Sequence, residues 1–219
     1  MTMARTARAE RVGATRESIL AAAERLFAEH GVLAVSNRQV SEAAGQGNNA
    51  AVGYHFGTKA DLVRAIVRKH AERIERVRLR MLAEIGDSRD VRDWVACLVR
   101  PSAEHLAALG NPTWYARFGA QVMTDPTLRA IMVDESLTSP SLLQVIDGLH
   151  RCLPDLPAEV RAERGDMARL LMVQMYAERE RALAEGAPTP RASWHDAATG
   201  LVDAIVGLWL APVTLGQST

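Results

Sequence analysis

At 219 residues and 48% hydrophobic, the chain has enough material for one or two domains with a sizeable core, and it is globular. Its formal charge is zero but unevenly spread: residues 1–80 hold 14 Lys/Arg against 8 Asp/Glu, a balance of +6, and residues 81–219 hold 12 against 18, a balance of −6. A basic end on a neutral chain can meet phosphate while the acidic body stays off a duplex, so neutrality does not exclude a nucleic-acid partner. Cys97 and Cys152 have no metal-site or disulfide spacing, and no apolar run has the length of a membrane span or follows the basic start as in a signal peptide. A reduced, cytoplasmic protein with no membrane partner is expected.

Residues 1–14 carry Arg5, Arg8 and Arg11 among small residues and lack apolar periodicity. They are expected to form a flexible basic arm, either a solvated tail or a segment that reaches the DNA backbone or minor groove. Thr15 then caps a helix whose stripe is Ile19, Ala22, Ala23, Leu26 and Phe27, ending at His30-Gly31. Val32, Leu33 and Val35 are expected to extend that core. Ser36 with Gln39 makes a capping box, so the next helix starts at Asn37 and ends at Gly45. Asn48 caps a second, very short helix through Val52 and Tyr54, closed by Phe56-Gly57 before Thr58 caps the next.

Helix, turn and helix result, and the second helix is poor in charge and rich in small residues. Asn49, Ala50, Ala51 and Gly53, beside Asn48, Tyr54 and His55, would let its backbone sit deep in a groove. There an Asn can pair with an adenine edge and a methyl group can meet thymine. A small three-helix packing unit with no nucleic-acid role fits the same pattern.

Phe27, the Gly31 turn, Ser36-x-Arg38-x-Val40, Ala44-Gly45 and Tyr54-His55-Phe56-x-x-Lys59-x-x-Leu62 together resemble the amino-terminal domain of TetR-family transcriptional regulators, over about residues 14–66. The resemblance implies a DNA-facing set of Ser36, Arg38, Gln46, Asn48, Asn49, Ala50, Ala51, Gly53, Tyr54, His55, Thr58 and Lys59, with Lys59 touching phosphate. Many members carry a tyrosine where this chain has Gly53, and no phosphate contact is carried over there.

From Thr58 the pattern Leu62, Val63, Ile66, Val67, His70, Ile74, Val77, Met81, Ile85 predicts one helix to Gly86 of roughly 40 Å. It should link two domains, with its far end on segments bearing Trp114, Phe118 and Met175. Its arginines read as a solvated surface partnered by Glu72 and Glu75. Asp87 to Leu109 predicts a further helix with Trp94, Cys97 and Leu98 inward and Pro101 as a kink or break. Asn111-Pro112 and Asp125-Pro126 predict helix starts, Ser139-Pro140 an interruption, and Cys152 to Pro157 a loop. A long helix is expected from about Ala158 to Glu185, and Ser193 with Asp196 caps the last one, which ends before Pro212.

The fold class expected is all-α: a flexible basic arm (1–14), a three-helix domain with helix-turn-helix (15–66), a helical ligand-binding and dimerisation domain (67–211) reached by the long helix, and a tail (212–219). Trp94, Trp114, Tyr115, Phe118, Met123, Met172, Met175 and Tyr176 sit on helices that could line one cavity for a flat or greasy small molecule, or be plain core. Gly200, Ala204, Gly207 and Ala211 make a small-residue stripe beside Leu201 and Leu208, which suggests an isologous homodimer. The six histidines lack helical metal spacing, and no GxSxG, GxxxxGK[ST] or GxGxxG motif occurs, so no metal, cofactor or catalysis is expected. The combined expectation is a ligand-responsive repressor that binds a palindromic operator in double-stranded DNA as a homodimer and is released by an apolar or aromatic effector. The alternative is an all-helical small-molecule carrier or enzyme whose first helices are only structural.

Overall fold

A computed structural model describes residues 2–48 and 50–214, with side chains from residue 10 onward. Among the described residues the chain forms ten α-helices and no strand. They fall into two compact units, Met1–Ala71 with Pro112–Ser136, and Glu72–Asn111 with Leu137–Thr219. This cut differs from the expected boundary between residues 66 and 67. It lies inside the long helix, and residues 112–136 belong with the amino-terminal helices.

The first unit begins with α1 (Thr2–His30), so the arm expected over residues 1–14 is helix continuous with the rest, and Thr15 lies inside it. The segment holds no proline, and its Ala, Arg and Glu are strong helix formers that need no apolar stripe to propagate a helix already anchored downstream. Gly31 (φ 86°) ends α1. α2 (Asn37–Ala43) starts at the expected capping box: Gln39 N–H donates to Ser36 Oγ at 3.2 Å and Ser36 N–H to Gln39 Oε1 at 2.8 Å. Gly45 (φ 69°) and Gly57 (φ 82°) take the left-handed conformations that close α2 and α3 (Ala51–Phe56). Thr58 and Asp61 then exchange backbone-to-side-chain bonds of 3.1 Å each and start α4 (Lys59–Ile85).

α6 (Tyr115–Val122) and α7 (Pro126–Leu137) complete this unit. Phe118, Val122, Leu128 and Ile131 share one core with Ile19, Phe27, Val40, Val52, Leu62 and Ile66. Phe118 stacks on Phe27 with ring centroids 6.3 Å apart, so α6 packs on α1 within the first unit's core. The apolar face of α6 was legible; which neighbour covers it was not. Beside this core, Tyr115 stacks on His70 at 3.8 Å, and His70 Nε2 lies 2.8 Å from Glu24 Oε2, all three joining α1, α4 and α6. Glu135 of α7 accepts from Arg68 at 2.7 and 2.9 Å. Leu33 is 69% exposed, so only Val32 and Val35 of the turn after α1 enter the core.

The second unit holds the far end of α4, α5 (Val91–Leu109), α8 (Pro140–Cys152), α9 (Ala158–Ala184) and α10 (Trp194–Leu210). Asp90 caps α5 four residues later than expected, and the helix passes through Pro101 unbroken. Asn111 does not cap a helix. It donates to Leu183 O at 3.3 Å, and α6 starts only at Tyr115. Asp125 and Ser193 cap as expected, and at the expected interruption Ser139 caps α8.

Buried polar groups tie this unit together. Glu75 accepts from Ser141 N at 3.1 Å and from both serine hydroxyls that open α8. Burial pulls its pKa up, but the bonds from Ser139 and Ser141 and the charge of Arg78 hold it below its ordinary value on balance. Arg78 itself is buried and donates to Cys97 O at 3.3 Å. Arg164 donates to Trp209 O and Ala211 O, both at 2.7 Å, and so caps the end of α10 with a cation, the favourable sign there. Both cysteines are free, and burial pushes the Cys97 thiol up to about 11.

Trp94 is 1% exposed, and Gly148 of α8 lies flat against its ring: a Cβ added there would sit 2.3–2.5 Å from three ring carbons. An indole held in place by its own bond to Ser88 O at 2.9 Å cannot withdraw without losing that bond. Gly148→Ala is therefore expected to destabilise the protein by about 1–3 kcal/mol despite alanine's better helix propensity. Urea unfolding would read this, and a variant as stable as the parent would show that the indole is free to move.

Candidate nucleic-acid interface and ligand cavity

α3 has six residues, of which Ala51 and Val52 are buried in the first unit's core. The outward stripe is Ala50, Gly53, Tyr54 and Gly57, at positions i, i+3, i+4 and i+7, all exposed. Nothing lies within 4 Å of a Cβ added at Gly53, and Tyr54, 82% exposed, is the one large side chain on the stripe. A helix presenting so little bulk brings its backbone close to whatever it docks against, as groove reading requires.

The other residues expected to face DNA are placed as follows. Ser36 is taken up in its capping box. Arg38 is exposed and held by Glu42 at 2.8 Å, one turn along α2, which raises its pKa. Gln46 Nε2 donates to Ala44 O at 3.0 Å, and Asn48 Oδ1 accepts from Ala50 N at 2.9 Å, so both shape the turn. Asn49 lies outside the described residues. Ala51 points inward at 8% exposure, because the short helix needs it with Val52 to anchor itself. His55 is half-buried, with its carbonyl accepting from the Arg16 guanidinium. Thr58 is engaged with Asp61.

Lys59 is placed differently from a free phosphate contact. Its ammonium lies 2.6 Å from Val35 O, 3.0 Å from Val32 O and 3.5 Å from Leu33 O. A lysine has three donors, and here each has a carbonyl of the turn that joins α1 to α2. Arg16 is the residue that sequence reasoning missed: besides its bond to His55 O, its guanidinium carbon sits 4.3 Å over the Phe56 ring. It clamps the end of α3 to α1. No local signal pairs residues 16 and 55.

A capped helix, a glycine-closed turn and a thin exposed helix clamped at both ends define a helix-turn-helix of the kind transcriptional regulators carry. Residues 19–66 match the model of bacterial regulatory proteins of the tetR family, and residues 96–207 match that of the tetracyclin repressor-like C-terminal domain. The chain belongs to the TetR family of transcriptional regulators. It is 28% identical over 125 residues to the HTH-type transcriptional repressor AcnR of Corynebacterium glutamicum, a match spanning 55% of this chain and only 57% of that relative. In fold it is similar to the TetR-family regulator PfmR of Thermus thermophilus (TM-score 0.55, 19% identity, 90% of this chain and 96% of that one). A TetR-family regulator of Mesorhizobium loti is similar in the same way (TM-score 0.51, 14% identity, 90% and 98%).

The residues expected to line a ligand cavity are divided. Trp114, Tyr115, Phe118 and Met123 belong to the first unit, where Phe118 is core and burial pushes the Tyr115 phenol's pKa up. Trp94, Met172, Met175 and Tyr176 belong to the second, where Trp94 and Tyr176 are buried and Tyr176 donates to Val99 O at 3.0 Å. Met175 is half exposed.

The second unit has a cavity of about 410 Å³ elsewhere, between α4, α5 and α10. Its α5 wall is Arg100, Ala103, Glu104 and Ala107, a single helical face at i, i+3, i+4 and i+7. Of the expected dimer residues, Leu201 is buried, Gly200 and Leu208 are half-buried, and Ala204, Gly207 and Ala211 are exposed. No helix among the described residues is long and apolar enough to cross a membrane.

Lys59→Met keeps the stem and removes the three donors. It is expected to lower stability by roughly 1–3 kcal/mol, the cost of leaving part-buried carbonyls without a charged donor. An unchanged urea midpoint would mean that the ammonium rests in water and the turn holds without it.

Proposed function

We propose that the protein is a transcriptional repressor that binds an inverted-repeat operator as a homodimer and is released when a small, largely apolar or aromatic molecule binds its second unit. The observation that carries this is the outward stripe of α3, which has almost no side chain except Tyr54 and is backed by a fully buried anchor. The name of the AcnR relative supports the sign of regulation. Arg38, Asn48, Asn49, Ala50 and Tyr54 are the proposed contact set. Lys59 is assigned to the protein's own turn, because its donors are already used.

Two exposed faces support the dimer. Ala204, Gly207 and Ala211 leave one side of α10 flat, and Met167, Leu170 and Met175 leave an apolar strip open along α9. Apolar strips on adjacent terminal helices are what a two-fold four-helix contact buries. A two-fold protein reads a two-fold site, so the operator is an inverted repeat with half-sites about one helical turn, roughly 34–36 Å, apart.

Selection of random DNA fragments by the purified full-length protein, followed by sequencing, tests the reading. An enriched inverted repeat is expected, together with a dimer in sedimentation; no enrichment, or a monomer at micromolar concentration, would sink it. With such an operator in hand, Asn49→Ala is expected to relax base preference at one position of each half-site by about 1–3 kcal/mol. A uniform loss across operator variants would move Asn49 from the base edges to the backbone.

A further inference from the structure

The helix-turn-helix has almost no net charge to offer a phosphate backbone. Residues 36–58 hold one cation, Arg38, and one anion, Glu42, and the two pair at 2.8 Å. Residues 16–69 hold seven Lys/Arg in all, and each has an acceptor within the protein. Arg16 and Lys59 donate to backbone carbonyls, and Arg25, Arg38, Arg64, Arg68 and Lys69 each pair with a carboxylate. A paired cation presents little net field to DNA, yet phosphate neutralisation supplies a large share of a protein's affinity for a duplex. The remaining cations at this end of the chain stand at the start of α1. Arg5, Arg8 and Arg11 occupy its first three turns against a single acid, Glu10.

The course of the helix places these positions. Arg16 ties α1 to the end of α3, its guanidinium holding the His55 carbonyl and covering the Phe56 ring. Arg5 precedes Arg16 by eleven residues, about three turns at roughly 3.6 residues each, so the two positions share one line along α1. Arg8 lies about a quarter turn from that line, and Glu10 lies well off it. At about 1.5 Å per residue, position 8 is roughly 12 Å and position 5 roughly 16 Å beyond the contact with α3. We propose that the first turns of α1 are a second DNA-contacting element. With α3 in a major groove, Arg5 and Arg8 lie along the phosphate backbone bordering that groove past the end of α3, and supply the salt-sensitive affinity that the helix-turn-helix lacks. The groove admits one helix, and α3 fills it, which leaves the backbone and not the base edges to α1. Because the segment is already helical, binding does not have to order it as it would a flexible arm. Arg11 is left out of the contact, since it interacts within the protein. The proposal rests on the regulator reading above and adds to it a surface outside the helix-turn-helix.

The test is the salt dependence of binding, followed by fluorescence anisotropy of the full chain on the selected inverted repeat and on an unrelated duplex of equal length. Arg5→Gln combined with Arg8→Gln is expected to lower the slope of log affinity against log salt by about 2, since each phosphate contact contributes about 0.9. Near about 0.1 M salt the loss is expected to be about ten-fold or more, by the same factor on both duplexes and with base preferences unchanged. Arg5→Lys combined with Arg8→Lys keeps both charges and is expected to keep the slope. Glutamine propagates a helix about as well as arginine, so the melting temperature should hold. A glutamine variant with the parent's slope would overturn the proposal, as would a loss confined to the repeat or to one base position, which would put α1 on base edges. So would a slope lost equally in the lysine variant, or a melting temperature several degrees lower, since the arginines would then be structural. A parent that binds neither duplex ends the regulator reading and this proposal with it. A parent that binds, matched by its glutamine variant, ends this proposal alone.

Discussion

A six-residue helix does not hold itself. In water an isolated helix needs about 12–15 residues to be even marginally formed, so α3 exists only because its surroundings fix it. Two buried residues, Ala51 and Val52, and the half-buried Phe56 are what it gives to the core. The rest of its orientation comes from outside: the Ser36 box and the Gly45 turn before it, the Gly57 close and Thr58 box after it, and Arg16 reaching from α1 to the His55 carbonyl and the Phe56 ring. This explains why the unit is larger than three helices. Phe118, Val122, Leu128 and Ile131 of α6 and α7 enlarge a core that residues 15–66 alone would leave open, and Glu135 ties α7 to α4 through Arg64 and Arg68.

The features legible in the sequence were those written within one turn of helix. Ser36 with Gln39, Ser193 with Asp196, Asp125-Pro126 and Ser139-Pro140 each put donor and acceptor three residues or fewer apart, and each does in the structure what the spacing implies. The helix-turn-helix and the all-helical class followed from these caps and from the apolar periods. Long-range features were not legible. Asn111-Pro112 has the same local form as Asp125-Pro126, yet its side chain is drawn 72 positions along the chain to Leu183 O. Ala51 has the size that suits a groove but is spent on burial, and Leu33 has the apolarity that suits a core but faces water. In each case a neighbour remote in sequence, not the residue's own propensity, decided the outcome.

Charge behaved similarly. The arginines along α4 looked like a solvated surface partnered by Glu72 and Glu75, but Arg64 pairs with Asp61 one turn back and also with Glu135 of α7. Arg68 binds Glu135 of α7, Arg80 binds Glu104 of α5, and Arg78 does pair with the expected Glu75 but is buried, against Cys97 O and the serines that open α8. Exposed pairs such as Arg80 with Glu104 contribute little to stability. Arg78 is different, because a buried guanidinium that lost its acceptors would carry its full desolvation cost. The same charge type at helical spacing thus serves as solubilising surface in one turn and as an internal fastener a few turns on.

α4 is where these threads meet. One unbroken helix of 27 residues contributes Leu62, Val63, Ile66 and Val67 to the core that holds α3, and Arg80, Met81 and Glu84 to the cavity. A ligand acting at its far end changes DNA affinity only to the extent that it prefers one arrangement of the helix over another. Moving such an equilibrium from 1:99 to 99:1 takes about 5.5 kcal/mol of differential binding, however tightly the ligand binds overall. By reciprocity, operator binding would weaken any such ligand by the same factor.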